Sequence, residues 1–130
     1  MDGAEFQCSR EFLGLPVQWV ADQLGVDRRT VYRWEHNRYK IPARAAEVMR
    51  VWMYRTNLAV GKMTVETLRH SDIPLQATSD DWDWLGDNGF PASWNRMVCA
   101  RVSERTGRTI VWREVDEAES AIVSSMKGEL

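Results

Sequence analysis

Residues 16–42 read PVQWVADQLGVDRRTVYRWEHNRYKIP, two short apolar-periodic segments that meet at Gly25. Val20, Ala21, Leu24, Val26, Val31 and Trp34 fall where two crossed helices would bury facing sides. Pro16 suits the first turn of a helix, where its missing N–H costs nothing. Gly25 supplies the left-handed backbone that a tight turn needs, and Ala21, four residues earlier, is small enough for a close helix crossing. Asp27 then stands ready to accept hydrogen bonds from the free N–H groups of the second segment, expected over about 28–36. Asn37 is the best left-handed cap after glycine. The spacing predicts a helix-turn-helix with Arg28, Arg29, Tyr32 and Arg33 facing outward.

Upstream, Asp2 and Glu5 have the spacing of a capping box, so a first helix is expected from Gly3, with Phe6, Ser9, Phe12 and Leu13 inward and Gly14 ending it. Downstream, KIP forces an extended link. Ala43 to Arg69 is helical by period, with Ala46, Met49, Trp52, Met53, Leu58, Met63 and Leu68 as its apolar set; it is one helix, or two split at Gly61. Past Ser71 the pattern changes. A short strand is expected over 73–78, an acidic helical turn in DDWDWLG, and a helix from Pro91 to Arg105 with Trp94, Met97, Val98, Ala100 and Val102 inward. A second strand is expected over 109–115 from its β-branched content, and EAESAIVSSMKGEL closes the chain as a terminal helix or a frayed tail. The fold class is therefore mainly α: a helix-turn-helix domain over 1–55, a connecting helix over 56–70 and a small α+β dimerisation region over 71–130.

Of the 130 residues 44% are hydrophobic and seven are tryptophan, enough for a real core. No apolar run approaches the roughly 18 residues of a membrane span. MDGAEFQCSR has neither a basic nor an apolar region of signal-peptide type, so a cytoplasmic protein is expected. Cys8 and Cys99 are far apart and read as buried reduced thiols; His36 and His70 are isolated, so neither metal nor cofactor is expected. The net charge of −2 conceals an asymmetry: eight Lys/Arg against three Asp/Glu over 27–55 (+5), and six against eleven over 72–130 (−5). A basic working surface on an acidic remainder is compatible with DNA, because phosphate contacts are local.

Arginine is the strongest reader of guanine, setting two donors on O6 and N7, so three arginines on one helix predict a guanine-bearing site in double-stranded DNA. VADQLGVDRRTVYRWEHNR resembles the lambda-repressor-like, or XRE-like, regulators in its order of alanine, glycine, apolar residue, capping residue and closing Trp-Glu. The resemblance covers residues 1–55 and implies base contacts from Arg28, Arg29, Tyr32 and Arg33. It further implies phosphate contacts from Gln18, Thr30, Asn37, Arg38, Tyr39, Lys40 and Arg44, and a structural ion pair between Arg10 and Glu35. Two positions depart from the family pattern: Val17, with Gln18 beside it, replaces the usual glutamine, and Asn37 replaces a common glycine. PASWNRMVCARVSERTG followed by TIVWREV is similar in arrangement to the tails of the anti-CRISPR-associated and YdiL-like regulators, which implies homodimerisation through the tail, with Trp94, Ile110 and Trp112 as interface candidates. The alternative is that Trp82, Trp84, Trp94 and Trp112 fill the tail's own core.

The expected function is that of a homodimeric repressor on an inverted repeat. A second reading is an antitoxin-type module that binds a partner protein through its C-terminal region and its own promoter through the head. An enzyme is not expected: Asp80, Asp81 and Asp83 have no histidine or lysine placed as a base, and no phosphate loop or nucleophile motif occurs.

Overall fold

The chain begins as a helix because Asp2 Oδ1 accepts the Glu5 N–H at 2.8 Å, starting α1 (Gly3–Phe12). The computed structural model describes residues 1–70, 72–79 and 89–114; the acidic turn expected over 80–86 and the closing segment 117–130 lie outside these. Helix α2 (Val17–Leu24) follows Pro16 and ends at Gly25 with φ 68°, where the Val26 N–H reaches back to the Ala21 carbonyl at 3.0 Å. Helix α3 (Arg28–Glu35) follows two residues later, and Asn37 takes the left-handed conformation with φ 56°.

Pro42 precedes α4 (Ala43–Arg69), 27 residues that run unbroken through Gly61, so the one-helix version of this stretch holds. Strand β1 (Leu75–Ala77), helix α5 (Ala92–Thr106) and strand β2 (Ile110–Trp112) are the remaining elements among the described residues. The two strands pair in parallel, Leu75 with Ile110 and Ala77 with Trp112, so α5 is their crossover. Both strands are shorter than expected, the first covering 75–77 of the 73–78 its alternation predicts and the second 110–112 of the 109–115 its β-branched content predicts. The architecture is mainly helical with one small two-stranded parallel sheet.

One hydrophobic cluster runs from Phe6, Val20 and Val31 through Met49 and Trp52 to Trp94, Val98 and Val102. Aromatic rings link the halves: Trp19 meets Trp52 at 5.0 Å and Phe90 at 5.6 Å, and Phe90 stacks on Trp94 at 4.4 Å. Ser93 Oγ donates to the Gly14 carbonyl at 2.6 Å, seating α5 on the α1–α2 turn. A Cβ at Gly14 would stand 2.7 Å from the Ser93 carbonyl oxygen, so close approach as well as its φ of 68° requires glycine there.

Several inward assignments fail, and helical rotation explains them. Phe12 is exposed, since six residues place it about 120° around α1 from Phe6; the Arg101 guanidinium lies 4.9 Å over its ring. Leu58 and Leu68 are exposed, Leu58 about 180° around α4 from the core residue Met49 and Leu68 about 160° from the core residue Trp52. Ala100 is exposed and Cys99 takes the inward place. Cys8 is exposed, contrary to the expectation of two buried thiols, while Cys99 is buried and its thiol donates to the Gln76 carbonyl at 3.6 Å.

Candidate nucleic-acid interface

The Asp27 carboxylate organises the start of α3, accepting the Thr30 N–H at 2.7 Å and the Thr30 hydroxyl at 3.0 Å. Those two hydrogen bonds, the backbone one first, hold its pKa below the ordinary carboxylate value, and the charges of Arg29 and Arg33 act in the same direction. The inner face of α3 is fixed by three side chains. Val31 is fully buried, Trp34 sits edge-on to Phe6 at 5.8 Å, and Glu35 receives two hydrogen bonds from Arg10. The expected Arg10–Glu35 pair is present and bidentate, at 2.7 and 3.1 Å, with Arg10 also donating to the Leu15 carbonyl at 3.1 Å.

What remains outward is a ridge of Arg28, Arg29 and Tyr32, exposed, and Arg33, half-buried. The structure brings these four onto one face. Two contacts hold the ridge's far end. Tyr32 stacks on His36 with ring centroids 4.0 Å apart, and the Arg33 guanidinium lies 5.2 Å from the Tyr39 ring centre. His36 was not singled out from the sequence, although its position four residues after Tyr32 on a helical face was a usable signal.

The expected phosphate-binding residues divide into two sets. Arg38, Tyr39, Lys40 and Arg44 are exposed beyond the end of α3. Tyr39 and Lys40, with Asp2 and Asn37, line a shallow cleft of about 310 Å³. Gln18, Thr30 and Asn37 are already engaged within the chain. Gln18 Nε2 donates to Asp22 at 2.8 Å, the Thr30 hydroxyl donates to the Asp27 cap, and Asn37 Oδ1 accepts the Gly3 N–H at 2.8 Å. Gly3 is a further position the sequence reading missed. A Cβ on it would collide with the carbonyl oxygens of Trp34 and Glu35, so the start of α1 is pressed against the end of α3.

Among the tail candidates, Trp94 is corrected. It is buried, and its indole N–H donates to Thr56 Oγ1 at 2.9 Å, so it serves the chain's own core and offers nothing to a second copy. Ile110 and Trp112 are exposed, as is Val111 between them. Asp80, Asp81 and Asp83 lie outside the described residues, as do Trp82 and Trp84. No helix among the described residues is long and apolar enough to cross a membrane. Comparison with protein-family models finds no match to this chain, and comparison with curated proteins finds none either.

Proposed function

We propose that the protein is a sequence-specific double-stranded-DNA-binding regulator of transcription, a homodimeric repressor acting on an inverted repeat. In this reading α2 and α3 form a helix-turn-helix, and α3 enters the major groove with its N-terminal residues on base edges. One observation carries it: Arg28, Arg29 and Arg33 form a cationic ridge on a helix whose opposite face is pinned by buried Val31, Trp34 and the Arg10–Glu35 pair. A fixed helix backbone suits bidentate contact with guanine, because binding then has only the Arg28 and Arg29 rotamers left to place, Arg33 already lying over the Tyr39 ring. Arg38, Lys40 and Arg44 supply phosphate contacts that set register without carrying sequence information.

Selection from randomised duplexes, followed by titration of the selected site, tests the reading. Each lost bidentate contact costs about 1–3 kcal/mol of discrimination, so a variant carrying R28A, R29A and R33A binds selected and scrambled duplexes alike while its circular dichroism is unchanged. Undiminished preference for the selected duplex in that variant refutes the assignment. The exposed apolar strand β2 favours a second reading, an antitoxin-type module that holds a partner protein through its C-terminal region. Co-purification of a stoichiometric second protein is its sign.

A further inference from the structure

Helix α4 is apolar on two opposite sides. One side carries Ala45, Ala46, Met49, Trp52 and Val60 into the chain's own core. The other carries Val51, Tyr54, Leu58, Val65 and Leu68, each between 45% and 65% exposed. With Gly61 these positions run 51, 54, 58, 61, 65, 68, alternating steps of three and four. That is the a/d seam of a coiled coil, turned away from the elements packed on α4 among the described residues. A helix apolar all round belongs between two layers, and here only one layer is present.

We infer that this seam is where a second copy of the chain docks, α4 against α4, antiparallel, about a twofold axis between Ala59 and Val60. The register argues for it. Antiparallel pairing about that point sets Val51 against the second copy's Leu68, Tyr54 against its Val65, and Leu58 against its Gly61. Every layer then joins a larger side chain to a smaller one, and Leu58 fills the space over Gly61, where nothing of the chain's own lies within 4 Å of an added Cβ. Parallel pairing would set Gly61 on Gly61 and leave a void in the middle of the seam.

The area agrees, and the charge sets how association responds to salt. The five side chains expose on the order of 500 Å² of apolar surface per copy, near the upper end for a monomer's largest patch. The aliphatic stems of flanking Arg55 and Lys62 extend this toward the roughly 800 Å² per partner of a stable interface. The flank of Arg55, Lys62 and Arg69 meets its own copy as like charge, so association tightens with added salt, opposite to phosphate binding. The inference deepens the proposed function, since it supplies the twofold that an inverted repeat needs. It rests on that reading for its purpose alone, because self-association is measured without DNA.

Sedimentation equilibrium of the full chain is expected to give twice 15.1 kDa. Leu58→Glu weakens association about a hundredfold or more with unchanged circular dichroism, because the side chain is 56% exposed in the single copy. Gly61→Leu, entering open space in one copy, dissociates the pair by collision with Leu58 of the other. In a Cys8→Ser background, V51C chains mixed with L68C chains form a disulfide, and neither variant links to itself. A monomeric wild type, as when the seam serves a different protein, overturns the inference. So do self-linking of V51C and a dimer dissociated by Trp112→Glu but not by Leu58→Glu. The R28A/R29A/R33A variant stays dimeric; a dimer that reads no DNA sinks the functional proposal and leaves this one standing.

Discussion

Replacing Glu35 by alanine should cost far more than the loss of a surface charge. The Glu35 side chain is 3% exposed and that of Arg10 is 11%, and the two share hydrogen bonds of 2.7 and 3.1 Å. Without the carboxylate, a largely desolvated guanidinium keeps the Leu15 carbonyl at 3.1 Å and a long contact of 3.7 Å to the exposed Glu11 carboxylate. Orphaning one member of a buried pair costs about 3–5 kcal/mol, a large share of the roughly 5–15 kcal/mol that holds a domain together. The melting temperature should fall by on the order of 10–20 °C in a chain of this size. Replacing both partners, as R10M with E35L, removes charge and desolvation cost together and should recover most of the loss. Urea unfolding of the two single variants and the double, followed by far-ultraviolet circular dichroism, gives the coupling energy directly. A Glu35→Ala cost under about 1 kcal/mol, the value for an exposed pair, would refute the claim that this contact fixes the orientation of α3.

Three further outcomes follow from the same geometry. Gly3→Ala, which would ordinarily gain about 1 kcal/mol of helix propensity, should instead lower the urea midpoint, since overpacking against the Trp34 and Glu35 carbonyls costs about 1–3 kcal/mol; an unchanged midpoint contradicts the close approach. The Asp27 carboxyl has a lowered pKa in the folded chain, so its cap stabilises α3 above the ordinary value of 3.8 and is lost as the pH falls through the lowered one. Protection of the Thr30 amide, its exchange measured against the intrinsic rate at each pH, should therefore fall in acid, and Asp27→Ala should abolish that pH dependence. Replacing Arg38 and Lys40 by alanine should reduce the slope of log K against log salt by about 0.9 per lost phosphate contact, leaving sequence preference intact; an unaltered slope removes both residues from the phosphate-binding set.

Elements whose ends are written in local chemistry were legible in advance. Asp2, Gly25, Asp27 and Asn37 act through their own backbone and near neighbours, and each cap stands where its residue type predicts. What escaped was non-local. Leu58 and Leu68 look like core residues in a one-dimensional pattern, because apolar character does not say which of two opposite faces of α4 packs inward. Trp94 stood both on the inward stripe of its helix and among the interface candidates; the sequence does not choose between them, because nothing in it places Thr56, 38 positions earlier, under the indole N–H. Gly3 and Asn37, 34 positions apart, acquire their shared role only when α1 docks on the end of α3. The arginine ridge was legible because residues 28, 29, 32 and 33 share one helical face by period alone.

The geometry of α3 must come from the rest of the fold. At eight residues it is shorter than the roughly 12–15 at which an isolated helix becomes even marginal in water, and it carries three arginines whose mutual repulsion opposes it. Its straightness and aim are set by Val31 and Trp34 in the core, by Arg10 from α1, and by Gly3 pressing on its last carbonyls. Those supports are tied in turn to α4 and α5 through Trp52, Phe90 and Trp94. Under the proposed function, the aromatic link between head and tail therefore acts on recognition at a distance. Loosening it at Phe90 would leave every arginine in place and still widen the range of directions in which the ridge points. That change would reach DNA as a smaller difference between right and wrong sites rather than as a uniform loss of binding, since phosphate contacts tolerate misalignment that bidentate base contacts do not.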